Sequence, residues 1–266
     1  MGTVQRLLNS IEVYDCNHDK IRIGNKSDGG YIAYDDICKN TNILLSIGVE
    51  DNVSFDLDFV TKFPQSKVHL FDHTVDKLPH EHDNFTFHKV GVGINKSADF
   101  DTLKSFSLGM SNKTLLKMDI EWNEWKIFKT LDEETLNHFS QLLVEFHLIH
   151  VDTSDNFLLS QDALTPYFQD FYSDIYHQIN DDLFELYAEV LSKISKYFYI
   201  FHIHANNSLP KTVIKNISFP PLLELSFVRK DLIIDAEETK FKYPIKGLDY
   251  PNKPYKDDIA NIYPLG

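Results

Sequence analysis

Cysteine is nearly absent from this chain of 266 residues. Cys16 and Cys38 are the only two, which leaves no disulfide framework and no zinc cluster to organise the fold and suits a reducing compartment. Positive charge is short as well: 26 Lys and Arg face 40 Asp and Glu, for a formal net charge of −14. Gripping a phosphate backbone takes clustered Lys and Arg, so no nucleic-acid partner is expected. No stretch approaches the ~20 apolar residues that span a bilayer. The opening Met-Gly-Thr-Val-Gln-Arg has no apolar signal run, and Arg6 stands where a myristoylation site needs Ser or Thr. A cytoplasmic protein with no membrane span is the expectation. Glycine is sparse too, and the Gly-x-Gly-x-x-Gly fingerprint of nicotinamide binding is missing.

What is present is apolar material for one substantial core, 42% of the residues, and a single domain is expected. Leu7, Leu8 and Ile11 recur at helical spacing. A short strand over 21–24 precedes Asp28-Gly29-Gly30-Tyr31, where adjacent glycines suit a hairpin turn or a close backbone approach to a ligand. Strand candidates at 42–49, 67–71, 85–92, 115–120 and 141–148 then alternate with helical segments, among them 53–63 and 124–139. That alternation predicts a doubly wound, Rossmann-like α/β sheet, mostly parallel and covered on both faces. The polar stretch 152–161 reads as a loop or lid over a site. After it comes a helix, capped by Asp182, with Leu183, Leu186, Tyr187, Val190, Leu191 and Ile194 on one face. Segments 197–204 and 222–228 lie too close for a crossover helix and are expected as an antiparallel pair. Within the single domain, 1–40 reads as a helix-and-hairpin cover, 41–235 as the core and 236–266 as an irregular tail.

In open α/β sheets the ligand crevice lies beyond the carboxyl ends of the strands, which singles out the residues where each strand stops. The segment from Thr114 to Trp122 ends in Asp119 and Glu121, on one side if the strand stays extended that far. Glu121 equally suits a helix cap. The first strand runs into Ser46-Ile47-Gly48-Val49-Glu50-Asp51, where a glycine bend lets a cofactor approach the backbone. Asp72 ends the second strand roughly twenty positions on, placed to accept two ribose hydroxyls. Gly91-Val92-Gly93 after the third leaves room for a flat ring, or is a plain turn. Glu145 and His147 share a face of their strand, as do His202 and His204; His202 is expected in the core and His204 at the site. Most of the 20 Phe and 13 Tyr are expected in the core, with some left to stack on a sugar.

The ordered set Asp28-Gly-Gly-Tyr31, Ser46-Ile-Gly48-Val-Glu50-Asp51, Leu70-Phe-Asp72, Gly91-Val-Gly93, Leu116-Lys-Met-Asp-Ile-Glu121 and Leu143-Val-Glu-Phe-His147 resembles the FkbM-like class of S-adenosylmethionine-dependent methyltransferases. The likeness runs over about residues 21–228 and continues into Phe201 to Asn207 and Leu223 to Asp231, which look like the closing strands of sugar-modifying members. It implies a class I methyltransferase fold, S-adenosylmethionine as cofactor, and contacts to it from Asp28, Gly29, Gly30, Tyr31, Ser46, Gly48, Glu50, Asp72 and Val92. The implied reaction is O-methylation of a sugar hydroxyl, free or nucleotide-linked, in capsule or surface-glycan biosynthesis, with Asp119 near the sulfonium and the acceptor. The glycine loop departs from the pattern: Glu50 and Asp51 stand where further glycines are expected, and the 28–31 segment folding over the cofactor would compensate. A hydroxyl acceptor needs a general base or a metal to remove its proton. Asp119, Glu121, His147 and His204 are the catalytic candidates. Asp119, Glu145 and His147, at the ends of adjacent strands, form a candidate ligand set for Mg²⁺ or Mn²⁺. An amine or carboxylate acceptor, and a glycan-binding relative without catalysis, stand as alternatives.

Overall fold

The structure is a computed structural model, and it describes residues 3–148, 181–209, 211–214 and 217–260. The polar stretch 152–161 lies outside them, as does the side chain of Asp182. Seven strands form the central sheet: β1 Ile43–Ile47, β2 Lys67–Phe71, β3 Phe85–His88, β4 Thr114–Met118, β5 Phe139–His147, β6 Phe198–Ala205 and β7 Leu222–Arg229. Their order across the sheet is β3-β2-β1-β4-β5-β7-β6. Neighbours among β1 to β5 pair in parallel, whereas β7 is antiparallel to both β5 and β6. This is a Rossmann-like, doubly wound arrangement, mostly parallel with an antiparallel strand near the C-terminal end. The strand order reverses between β1 and β4, and ligands of such sheets bind outside the carboxyl ends at that point.

The strands form where they do because they are apolar on both faces, as parallel strands covered by helices must be. Five helices matter here: α1 Thr3–Asn9, α2 Ser54–Lys62, α3 Asn123–Thr130, α4 Glu133–Leu136 and α5 Asp181–Ile194. On one face Leu45, Ile47, Leu116, Met118, Leu142 and Val144 pack with Leu7 of α1, Ile127 and Phe128 of α3, and Tyr187 and Leu191 of α5. The alternate residues Leu44, Leu115, Leu143, Val68 and Leu70 meet Phe55, Phe59 and Val60 of α2, together with Ile23 and Tyr31. The last two belong to the hairpin Lys20–Gly24 and Gly30–Tyr34. Each fully buried side chain of this size contributes about 1.5–3 kcal/mol, so the sheet's ends are held on a rigid base.

Three expectations change in detail. The helix expected over 124–139 breaks at Leu131, and Asp132 starts α4 by accepting a hydrogen bond from the Thr135 N–H at 2.9 Å. The third strand stops at His88, and Gly91–Gly93 pairs separately with Phe100–Thr102. The antiparallel pair at the end of the chain forms, but β7 inserts between β5 and β6, which puts Glu224 opposite both Glu145 and His204. Beyond Arg229 the tail is largely irregular, yet it buries Asp249 and Asn252. Among the described residues no helix is long and apolar enough to cross a membrane.

Candidate functional site

A cavity of about 690 Å³ opens at the carboxyl ends of β1, β2, β4 and β5, within the roughly 300–1,000 Å³ usual for small-molecule sites. Asp28, Gly29, Gly48, Glu50, Asp72, Val92, Asp119, Glu121, Glu145 and His147 line it. Gly30, Tyr31, Ser46 and His204 do not. Backbone strain concentrates here. Four non-glycine residues among those described have positive φ, and three of them, Glu50, Glu121 and Trp122, are on the cavity wall. Such conformations cost of order 1–3 kcal/mol each and persist where the surroundings impose them.

Gly48 turns the chain out of β1 at φ +75°, and a Cβ there would overlap the carbonyl oxygen of Asp119. The glycine is therefore required by the neighbouring strand's backbone. Asp72 ends β2 and braces the same loop. One carboxylate oxygen accepts from the N–H groups of Val49 (3.0 Å) and Glu50 (2.9 Å), the other from the N–H (2.8 Å) and hydroxyl (2.6 Å) of Thr74. Burial raises its pKa, but these bonds outweigh that and hold it below the usual carboxylate value. The hairpin borders the cavity through Asp28 and Gly29, and Gly29 lies against the Asn52 side chain at φ +80°, a conformation that side chains rarely adopt. Tyr31 lies beneath the cavity and donates its hydroxyl to Asp119 Oδ2 at 3.3 Å.

His147 is the centre of the reacting end. Its Nε2 stands 3.2 Å from Glu121 Oε2 and 3.9 Å from Asp119 Oδ1, and its Nδ1 is 3.2 Å from Glu124 Oε1. Burial alone would favour neutral imidazole, but Glu124 and Glu121 outweigh it and raise its pKa well above the usual value. Asp119 goes up to about 6: burial and the nearby Glu121 and Glu124 raise it, against Lys117 and His147. The 30% of its side chain that stays exposed faces the cavity. The expected alternation of Asp119 and Glu121 along one strand does not occur, since β4 ends at Met118 and Glu121 is left-handed; the two converge through His147 instead. Glu121 does not cap α3. Glu124, in the first turn of α3, reaches back to accept from the N–H of Ile120 at 2.8 Å and fixes His147 with the same oxygen.

Glu145 is buried on the cavity floor, where Asn206 donates to its Oε1 at 2.9 Å. Burial and then Asp119 push its pKa well above the usual carboxylate value, against the pull of His147. The ligand set expected for a metal does not assemble: among the described residues, those whose ligand atoms lie within 4.8 Å of one another are Asp119, Glu124 and His147, without Glu145. Glu124 is wholly buried, does not border the cavity, and is already bonded to Ile120 and His147, whereas Mg²⁺ keeps several waters. His204, expected at the site, is enclosed between Glu224 (2.9 Å) and Asp258 (3.3 Å) because β7 separates its strand from β5. These carboxylates overcome burial and raise its pKa to about 10. His202 is buried against Asp249 at 2.8 Å, the expected core position.

No protein-family model matches the chain, and no curated protein matches it. Solved structures do. The fibrillarin–Nop5p complex shares 12% identity over 72% of this chain and 73% of that one, with a TM-score of 0.36. Human N-acetylserotonin methyltransferase in complex with S-adenosylmethionine shares 11% over 86% and 51%, TM-score 0.31. The plantazolicin methyltransferase BpumL in complex with S-adenosylhomocysteine shares 9% over 73% and 83%, TM-score 0.31. Likeness at this level bears on neither cofactor nor substrate, which the side chains of the cavity must supply.

Sequence reasoning overlooked Lys117, Glu124, Asn206 and Thr74. Lys117 had a signal: it is a lone charge inside the apolar strand Leu115-Leu116-Lys117-Met118. Buried there, it donates to the carbonyl of Gly48 at 2.6 Å and borders the cavity. It is the one lysine against eight carboxylates on the described cavity wall.

Proposed function

We propose that the protein is an S-adenosylmethionine-dependent O-methyltransferase acting on a sugar hydroxyl in surface-glycan or related sugar biosynthesis. The observation that carries this reading is the cavity at the β1/β4 switch point, whose charged groups are mostly acidic and which ends in a carboxylate–histidine cluster. A sulfonium and an α-ammonium are both cations, and eight carboxylates facing one lysine suit them. The same lining disfavours a carboxylate acceptor.

Gly29, Gly48, Glu50 and Val92 would hold the cofactor, with Asp72 shaping the loop around it. The chemistry it supplies is an electrophilic methyl group on sulfur. The chain's own part is to position the hydroxyl and take its proton. Asp119, with a pKa of about 6, is ionised at neutral pH and near enough to neutrality to serve as the general base. Tyr31 holds one of its oxygens. His147, kept as imidazolium by Glu121 and Glu124, fixes the charge beside it. Both groups are shifted upward, so the carboxyl group still titrates below the imidazole, and a site divides such roles by keeping the pKa values of adjacent groups apart.

Mass spectrometry of a sugar panel incubated with S-adenosylmethionine tests the reading. One methyl on oxygen supports it. A methyl on nitrogen, or none on any acceptor, counts against it. Turnover is expected to survive exhaustive chelation, since no hydrated ion has access to Glu124.

A further inference from the structure

The acceptor half of the cavity carries more acidic groups than a neutral sugar needs. Glu145 lies in β5 and Asp119 just past the end of β4, each one residue beyond the paired Val144 and Met118, and the two carboxyl groups are close enough to interact. Both border the cavity. Glu145 is 4% exposed, and its single hydrogen bond among the described residues is the Asn206 amide on Oε1, which leaves Oε2 without a partner among them. Among the described residues no lysine or arginine pairs with it. Lys117 is spent on the Gly48 carbonyl, and Lys253 stands 3.6 Å from Asp28. A buried carboxyl group with an unused oxygen facing a ligand space is satisfied by a cationic donor.

We propose that the acceptor is an amino sugar whose ammonium group binds Glu145 while the hydroxyl on the neighbouring ring carbon meets Asp119. This rests on the methyltransferase reading and names its substrate class. The arrangement also directs the methyl group. An amine held as ammonium has no lone pair to attack sulfur-bound carbon, so methylation goes to the oxygen, whose proton passes to Asp119 as the C–O bond forms and the C–S bond breaks. Acceptors bearing phosphate, nucleotide-linked sugars included, meet like charge from Asp119 and Asp28 and are disfavoured.

The test is calorimetric titration of the protein saturated with S-adenosylhomocysteine, using hexosamines, their neutral parent hexoses and the corresponding hexose phosphates. A hexosamine is expected to bind about ten-fold or more tightly than its neutral parent, and the phosphates least well. Glu145→Gln is expected to bring the hexosamine down to the affinity of the neutral sugar. Equal affinity of hexosamines and neutral hexoses in the unaltered protein, including no binding by either, overturns the proposal whether or not the variant folds. Saturation with S-adenosylhomocysteine is checked first: its failure sinks the methyltransferase reading, while its success without amine preference sinks only the substrate class.

Discussion

Asp72 shows how a residue's position and its role separate. Its place at the end of β2 was legible from spacing to the glycine turn, but its four hydrogen bonds to Val49, Glu50 and Thr74 depend on how two loops close, which spacing does not encode. Asp72→Ala is expected to lower stability at neutral pH by about 2 kcal/mol, since charge-assisted bonds are lost, and to weaken S-adenosylhomocysteine at least ten-fold through the loosened loop. Because the folded carboxylate's pKa is depressed, its stabilising contribution is present above the unfolded value near 4 and lost as pH falls through the folded one. Urea unfolding at pH 7 and pH 3 should therefore show the gap between wild type and variant shrinking in acid; an equal gap at both would remove the brace. Gly48→Ala meets the Asp119 carbonyl in a left-handed conformation and is expected to cost about 2–5 kcal/mol by the same assay.

At the scale of elements, β1, β2, β4 and β5 were readable because buried parallel strands are continuous apolar runs with polar stops. What escaped the sequence was pairing: nothing in 197–228 marks β7 for insertion beside β5, and that insertion moves His204 out of the cavity. The first turn of α3 escaped for a related reason. Glu124 looks like an ordinary helix-start acid until the fold brings it to His147 Nδ1. Glu124→Gln is expected to reduce turnover at least ten-fold with cofactor affinity changed by no more than about two-fold, because it removes the charge that keeps His147 protonated and oriented. Normal turnover in the folded variant would show that His147 needs no such support.

For the whole molecule, the acidic balance visible in composition, net charge −14, becomes a cavity wall with eight carboxyl groups, one lysine and His147, so Asp119 and His147 titrate under one another's influence. Turnover on the true acceptor is expected to rise as pH passes about 6, where Asp119 ionises, and to decline on the alkaline side as His147 loses its proton. A profile flat from pH 5 to 7 would take the base role from Asp119. The central claim is that this cavity holds S-adenosylmethionine, and the most direct measurement is titration of the intact chain with S-adenosylhomocysteine by isothermal calorimetry. One saturable site per chain, weakened at least ten-fold in Asp72→Ala, is the predicted result. No binding at millimolar ligand to a chain shown to be folded would contradict the account.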